Sequence, residues 1–286
     1  MKPAPFEYHR PASLLETFDL LERYGDDGRI LAGGQSLVPA LNMRLATPRA
    51  LIDINRLPGL DAIRLAPEGL VIGALARHEA VERSPLVREH APLLAIAMPH
   101  VGHEAIRTRG TVGGSLALAD PAAELPACAV ALDATLRLEG RRGRRELRAE
   151  DFFRGIYTTA LEPGELLVEV VVPRAPGWRS AFQELARRHG DFALAGVTAR
   201  ARVERGAIAE ARIVFFGVGP APLRARGAEA ALAGRAADAE AIAAARRALE
   251  TELDPPGDVH GSPALRRHLA GVLLHRVITE LVGERA

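Results

Sequence analysis

The chain has 286 residues, 26% charged, 48% hydrophobic and only 4% aromatic, enough for one large domain or two ordinary ones around a sizeable core. Basic and acidic residues nearly balance at a net charge of +1, so no excess charge recommends a nucleic-acid duplex or an anionic membrane as partner. Lys2 is the only lysine and Cys128 the only cysteine, which excludes a lysine-dependent phosphate loop, Schiff-base chemistry, an intrachain disulfide and any multi-cysteine zinc or iron–sulfur site.

In chain order, Ser13-Leu-Leu-Glu16 is a capping box for a short helix with Leu14, Leu15, Phe18 and Leu21 on one side and Gly25 as its stop. Arg29–Ala32 reads as a buried strand broken at Gly33-Gly34, a second helix follows Ser36 to about Arg44, and Leu51–Ile54 is the next strand. This is a β-α-β unit with glycines at the carboxyl end of its first strand. Asn55–Pro58 closes that lobe; a hairpin (60–65, 70–73) and helices at 77–83 and 86–98 follow. A loop over 99–115, a helix from Pro121 to Leu132, and strands at 134–139, 144–148 and 165–172 complete a middle lobe. Pro173–Gly177 is a linker. Strands at Ser180–Arg187, Ala193–Glu204 and Ala207–Gly217 come next, the second alternating Thr198, Arg200, Arg202 and Glu204 with apolar residues as a half-buried strand does. Helices at 226–233, 238–252 and 264–282 end an α+β fold.

Two stretches pair glycines with a serine. In Ala32-Gly33-Gly34-Gln35-Ser36-Leu37 the glycines follow a strand and precede a helix. Glycine admits positive φ and close approach, so successive amides can face one concavity. The Ser36 hydroxyl and the helix start add to an anion cradle that needs no lysine. The same residues also suit a plain tight turn. Thr111-Val112-Gly113-Gly114-Ser115-Leu116 repeats the chemistry, and two such turns can grip the phosphates of one dinucleotide from opposite sides. Asp120 before Pro121 is an N-cap signal with proline at the first helical position. Glu124, one turn on, is either a hydroxyl acceptor or an ordinary acid near a helix start.

Taken in order, Phe6-x-Tyr8-x-x-Pro11, Ala32–Leu37, Leu51-Ile-Asp-Ile54, Ile72-Gly-Ala74, Ile106–Ser115, Ala119–Pro126 and Gly190-Asp-Phe-Ala193 resemble the FAD-binding medium subunit of the molybdenum hydroxylases, the group of aerobic carbon monoxide dehydrogenase and xanthine dehydrogenase. The resemblance covers the whole chain, and the absence of a G-x-G-x-x-G fingerprint agrees with a non-Rossmann way of holding FAD. It implies a two-lobed PCMH-type FAD-binding domain over 1–175 (lobes 1–56 and 57–175), then a C-terminal domain over 176–286 of three-stranded antiparallel sheet plus helices.

By the same resemblance, residues 32–36 and 111–115 hold the FAD diphosphate, and Asp120 and Glu124 sit near the ribityl and ribose hydroxyls. Val101 and Ile106 line the adenine or ring pocket, the backbone at Leu166-Leu167 meets the isoalloxazine edge, and Asp191-Phe192 face the ring from the C-terminal domain. One departure stands out: the lysine that the family often carries near the start of Phe182-Gln-Glu-Leu-Ala is missing, leaving Gln183, Glu184 or Arg187 to take its place. The implied function is electron transfer. A large molybdopterin-binding subunit oxidises substrate, a small 2Fe-2S subunit relays electrons, and FAD on this chain passes them to an external acceptor within a cytoplasmic hetero-oligomer. No side chain here then needs to act as acid, base or nucleophile. A stand-alone flavoprotein oxidoreductase and a non-catalytic assembly subunit are the alternatives.

Other signals are weaker. His100-Val-Gly-His103-Glu104 lacks the further ligands a metal site needs. Neither serine turn is a G-x-S-x-G elbow, since Val38 and Ala117 stand where glycine is required. Arg141-Arg142-x-Arg144-Arg145 has no aromatic neighbours for base stacking and reads as a solvated hairpin turn. Cys128, in an apolar run, reads as a buried inert thiol. No window approaches the roughly 20 apolar residues of a membrane-spanning helix, and the first residues lack a signal peptide's apolar run.

Overall fold

The capping box at Ser13 forms: its hydroxyl accepts from the Glu16 amide at 3.2 Å, and the Glu16 carboxylate reaches back to the Ala12 amide at 2.8 Å. In the computed structural model, which describes residues 2–283, β1 (Glu7–His9), α1 (Leu14–Tyr24), β2 (Gly28–Leu31), α2 (Leu37–Asn42) and β3 (Ala50–Asp53) build a small first lobe. Its sheet is parallel throughout, in the order β1-β3-β2. Central β3 is buried at every position, and Phe18 of α1 packs with Ile52, Ile54, Leu57 and Leu60.

The middle lobe holds β4 (Ile63–Ala66), β5 (Gly69–Gly73), α3 (His78–Arg83), α4 (Pro85–His90), α5 (Pro92–Ala97), α6 (Glu104–Arg107), α7 (Val112–Leu118) and α8 (Glu124–Ala131). It continues through β6 (Thr135–Gly140), β7 (Gly143–Arg148), α9 (Ala149–Phe152), β8 (Phe153–Gly155), β9 (Thr158–Thr159) and β10 (Leu166–Pro173). Five strands pair antiparallel as β4-β5-β10-β6-β7, over a core that includes Ile72, Leu93, Met98, Leu116, Leu136 and Phe152.

Three expectations fail here. The single helix over 86–98 is two, because Pro92 has no amide to donate and turns Ala91 out of the helical region (φ −141°, ψ 57°). The loop over 99–115 contains α6 and the start of α7, which Thr111 caps. The helix expected from Pro121 begins only at Glu124: Asp120 accepts from the Ala122 amide at 2.9 Å in a local turn, and Ala123 stands at the cap position.

The C-terminal part holds β11 (Trp178–Leu185), β12 (Ala195–Glu204), β13 (Ala207–Phe216), β14 (Leu223–Arg224), α10 (Arg226–Leu232), β15 (Arg235–Ala236), α11 (Ala239–Glu252) and α12 (Pro263–Val282). The three long strands run β11-β12-β13, with the two-residue β14 and β15 both added on β13. One correction concerns burial. The first seven residues of β12 are all buried, because α10–α12 cover one face of the sheet and α5 and α8 of the middle lobe cover the other. Thr198 therefore contacts Cys128 of α8, and Arg200 lies 4.7 Å over the Trp178 ring. Cys128 is fully buried, its thiol pushed up to about 12 by burial. The arginines at the β6–β7 turn are each paired with a carboxylate: Arg141 with Glu22, Arg142 with Glu162, Arg144 with Glu139 and Arg145 with Glu165.

Candidate functional site

β2 is short and ends at Leu31, where Gly34 takes φ +73° and bends the chain into α2. A Cβ on Gly33 would fall on the carbonyl oxygen of Arg109, so glycine here lets two loops touch backbone to backbone. Among the described residues, none accepts from the backbone N–H groups of Gly33, Gly34, Gln35, Ser36 and Leu37, although the carbonyls of Gly33, Gly34 and Ser36 are bonded. Ser36 occupies the cap position of α2 in a helical conformation (φ −101°, ψ −42°) and its hydroxyl caps nothing, contrary to its expected role. This turn rims a cavity of about 370 Å³, whose other walls include Val38, Asp53, Asn55 and Arg109. A row of uncommitted donors beside a cavity is what a diphosphate requires.

The second glycine turn is different. Val112 N donates to Ala76 O (3.0 Å), Gly113 N to Ala74 O (2.7 Å), Gly114 N to Thr111 Oγ1 (3.1 Å) and Ser115 N to Thr111 O (3.0 Å). Its amides are spent inside the fold, so the expected second amide cradle is absent. The glycines serve close packing instead: a Cβ at Gly113 would stand 2.5 Å from that of Ala74. One at Gly114 would stand 2.7 Å from Thr111 Oγ1 and 3.9 Å from the Ala32 methyl. The start of α7 thus borders the first turn through Gly114, with Gly114 and Ser115 half-buried and Thr111, Val112 and Gly113 buried.

Sequence reasoning missed the network that spaces the two turns. Arg77, just before α3, donates to the carbonyl of Arg109 and, at 2.6 Å, to Asn55 Oδ1. Asn55 Nδ2 donates to Ala32 O (2.8 Å) and Asp53 Oδ1 (2.7 Å), and Tyr8 donates to the other Asp53 oxygen. Burial works to raise the Asp53 pKa, but hydrogen bonds from Tyr8 and Asn55 outweigh it and hold the carboxyl below its ordinary value. The available signal was Asp53 itself, the one polar residue in an apolar strand.

A second group lies at the seam between the middle lobe and the C-terminal sheet. Asp120 also accepts from the Tyr157 hydroxyl at 3.1 Å. Glu124, expected either as a hydroxyl acceptor or as an ordinary acid near a helix start, is the first residue of α8 and only 7% exposed. Burial pushes its carboxyl up to about 8, with Glu184 and Asp120 adding to the rise. The Glu184 side chain is 5% exposed; Oε1 is 3.3 Å from His100 Nδ1 and Oε2 has no partner. Of the three residues around the missing lysine, only Glu184 turns this way; Gln183 bonds Glu280 and Arg187 meets His260. His100 packs on Phe182 at 4.8 Å, and His103 borders Gly190.

The remaining expected residues frame this seam. Val101 is buried and Ile106 packs under Gly102. Leu166 and Leu167 send their side chains into the core, leaving only backbone available, beside a bulge in the pairing between Leu167 and Glu169. Asp191 is exposed, and Phe192 is 68% exposed on the loop before β12, unusual for so large an apolar ring.

Comparisons with known proteins agree along the whole chain. A family model described as the FAD binding domain in molybdopterin dehydrogenase matches residues 4–175, and one described as the CO dehydrogenase flavoprotein C-terminal domain matches 180–281. The alpha subunit of the 6-hydroxypseudooxynicotine dehydrogenase complex of Paenarthrobacter nicotinovorans is 40% identical over 98% of this chain and 95% of its own length. The carbon monoxide dehydrogenase medium chain of Hydrogenophaga pseudoflava is 38% identical over 97% of each. A solved carbon monoxide dehydrogenase from that organism superposes with a TM-score of 0.96, at 40% identity and 98% coverage of both chains. No helix among the described residues is long and apolar enough to cross a membrane. Fold, free amides and near-full-length relatives converge: the chain belongs to the FAD-binding subunits of the molybdenum-hydroxylase-type dehydrogenases, the family of the carbon monoxide dehydrogenase medium chains and the xanthine-dehydrogenase-like FAD subunits.

Proposed function

We propose that this subunit carries electrons from the 2Fe-2S centres of a small partner subunit to an external acceptor, in a hetero-oligomer whose large molybdopterin-binding subunit oxidises the substrate. The observation that carries the reading is the run of unpartnered backbone N–H groups from Gly33 to Leu37, on a turn whose Gly33, Gly34 and Gln35 line the cavity. Bound FAD supplies a redox centre that exchanges electrons singly or in pairs, which suits a junction between one-electron and two-electron partners. The chain's task is binding, orientation and water exclusion. Gly33–Leu37 would hold the diphosphate, with the Gly114–Ser115 edge of α7 beside it. Asp120 and Glu124 would meet ribityl or ribose hydroxyls, and Val101 and Ile106 would line an apolar wall. Leu166–Leu167 would offer backbone to the ring, and Asp191–Phe192 would close over it from residues 176–286. The preceding 1–175 would carry the rest of the FAD site.

The names of relatives support a multi-chain assembly, since they include medium chains and a complex subunit. The test is native purification with cofactor analysis. Flavin, molybdenum and iron should co-elute with two further chains; a 30.6 kDa species without partners would refute the assembly. Protein without flavin absorbance would refute the FAD reading.

A further inference from the structure

The first glycine turn supplies donors but no formal charge, and the diphosphate it is read to hold carries two negative charges. The second turn cannot make up the difference, because its amides are already bonded within the fold. Nor can a lysine, since Lys2 is the only one. The cation lining the cavity is Arg109. Arg77 is committed to Asn55 and to the Arg109 carbonyl. Arg107, two residues before Arg109, is paired with Glu82 at 2.8 Å. Arg109 differs: it lines the cavity, yet among the described residues its guanidinium has neither an ion pair nor a hydrogen bond. Its backbone is fixed on both sides, by Arg77 on its carbonyl and by Gly33 packed against that same oxygen. The half-buried Arg77 feels the Arg109 charge, with Asp53 and Asp61 acting on it in the opposite sense. The nearby carboxylate, Asp53, is already turned to Tyr8 and Asn55. An uncommitted cation beside a row of free N–H groups, with the lining carboxylate of Asp53 turned to other partners, describes a site built for an anion.

We propose that the Arg109 guanidinium is the counter-charge of the diphosphate, opposing the Gly33–Leu37 amides across the cavity and making the site selective for a nucleoside diphosphate over an uncharged nucleoside. Guanidinium suits the role: it stays charged, presents a planar fork of donors that matches two phosphate oxygens, and is weakly hydrated. The proposal rests on the FAD reading and adds the residue that balances its charge. Arg77 acts behind it as a positioning residue.

The experiment titrates the full chain, freed of flavin, with FAD by flavin fluorescence, and then competes bound FAD with ADP and with adenosine. In the wild type ADP should displace FAD at least tenfold better than adenosine. Arg109→Gln should weaken FAD about 10- to 100-fold, bring ADP down to the level of adenosine, and flatten the salt dependence of FAD binding. Apoprotein melting should stay unchanged, because the side chain is exposed and unpaired. Arg109→Lys should recover part of the ADP preference. Wild-type FAD affinity in Arg109→Gln, or an equal loss of FAD, ADP and adenosine affinity, would overturn the arginine's role while leaving the FAD reading intact. A wild type that binds no FAD would overturn the FAD reading itself.

Discussion

Glu124→Gln tests the buried carboxyl group at the start of α8. With Glu124 only 7% exposed and its pKa pushed from 4.5 up to about 8 by burial, the folded, flavin-free chain keeps it protonated at pH 7 while the unfolded chain ionises it. The folded pKa is the higher one. The stability this group allows is therefore fully present below about pH 4.5 and is lost as pH rises through about 8. At pH 7 the loss is about 3 kcal/mol, from a gap of some 2.5 pH units at about 1.4 kcal/mol each. Glutamine removes the titration and keeps the shape, so the flavin-free variant should melt roughly 6 °C higher at pH 7, at about 2 °C per kcal/mol for a chain this long. The gain should vanish near pH 4. FAD adds a second arm. If the ionised carboxylate accepts a ligand hydroxyl, wild-type FAD affinity should drop about tenfold for each pH unit below 8, and the glutamine variant should show no such slope. Thermal melts from pH 4 to 9, paired with flavin-fluorescence titrations, read both arms. A variant that melts no higher than wild type at pH 7 would refute the buried-acid argument, and parallel pH slopes for FAD would remove Glu124 from the site.

Three further perturbations follow from single residues. His78 is buried against Gly110 with both ring nitrogens unpartnered, and burial lowers its pKa to about 4, so stability held above pH 6.5 should fall by about 3 kcal/mol as pH drops through 4; His78→Phe should flatten that acid limb in pH melts. Gly34→Ala forces an L residue to φ +73°, costing about 1 kcal/mol in melting, and should weaken FAD further by tilting the amides that follow. Arg77→Ala frees Asn55 and the Arg109 carbonyl together; FAD affinity should fall at least tenfold while denaturant stability drops by only about 1–3 kcal/mol, and equal FAD affinity would show that the lobe spacing needs no staple.

What the sequence made legible was local. The capping box at Ser13, the glycine break after β2, the hairpins and the three C-terminal helices each depend on residues within a few positions of one another, so period and caps were sufficient. α7 escaped because two glycines in its first turn look like a loop on propensity alone; the Thr111 hydroxyl, three residues before Gly114, was the signal that outweighs them. The split of the 86–98 helix is local too, since Pro92 interrupts the amide ladder after Ala91. Long-range facts had no such signature. Thr198 and Arg200 sit in an alternating pattern that promises solvent, and only the docking of α8 on that face buries them. Glu124 could be read as a hydroxyl acceptor or as a helix-start acid, and its burial had no local signal: it comes with the docking of β12 and β13 on α8, more than 60 residues later in the chain.

The same distinction explains how the two glycine motifs come to differ in role. Sequence symmetry between Gly33-Gly34 and Gly113-Gly114 suggests equal partners gripping one ligand, but hydrogen-bond accounting breaks the symmetry. α7 starts beside β5, so Val112 and Gly113 extend the backbone pairing of Ala74 and Ala76, and a helix cap takes Gly114. α2 starts beyond the end of a parallel strand, where the Arg109–Gly110 loop touches Gly33 but accepts no hydrogen bond, and the N–H groups of 33–37 stay free. One motif therefore has its N–H groups spent within the fold and the other keeps them free. Their distance is set in the middle lobe, through Arg77, and read in the first lobe, through Asn55 and Ala32. The turn with free N–H groups is spaced from another lobe, so its placement depends on how the two dock, and this gives a physical reason for the part-buried polar chain Tyr8–Asp53–Asn55–Arg77 to lie between them.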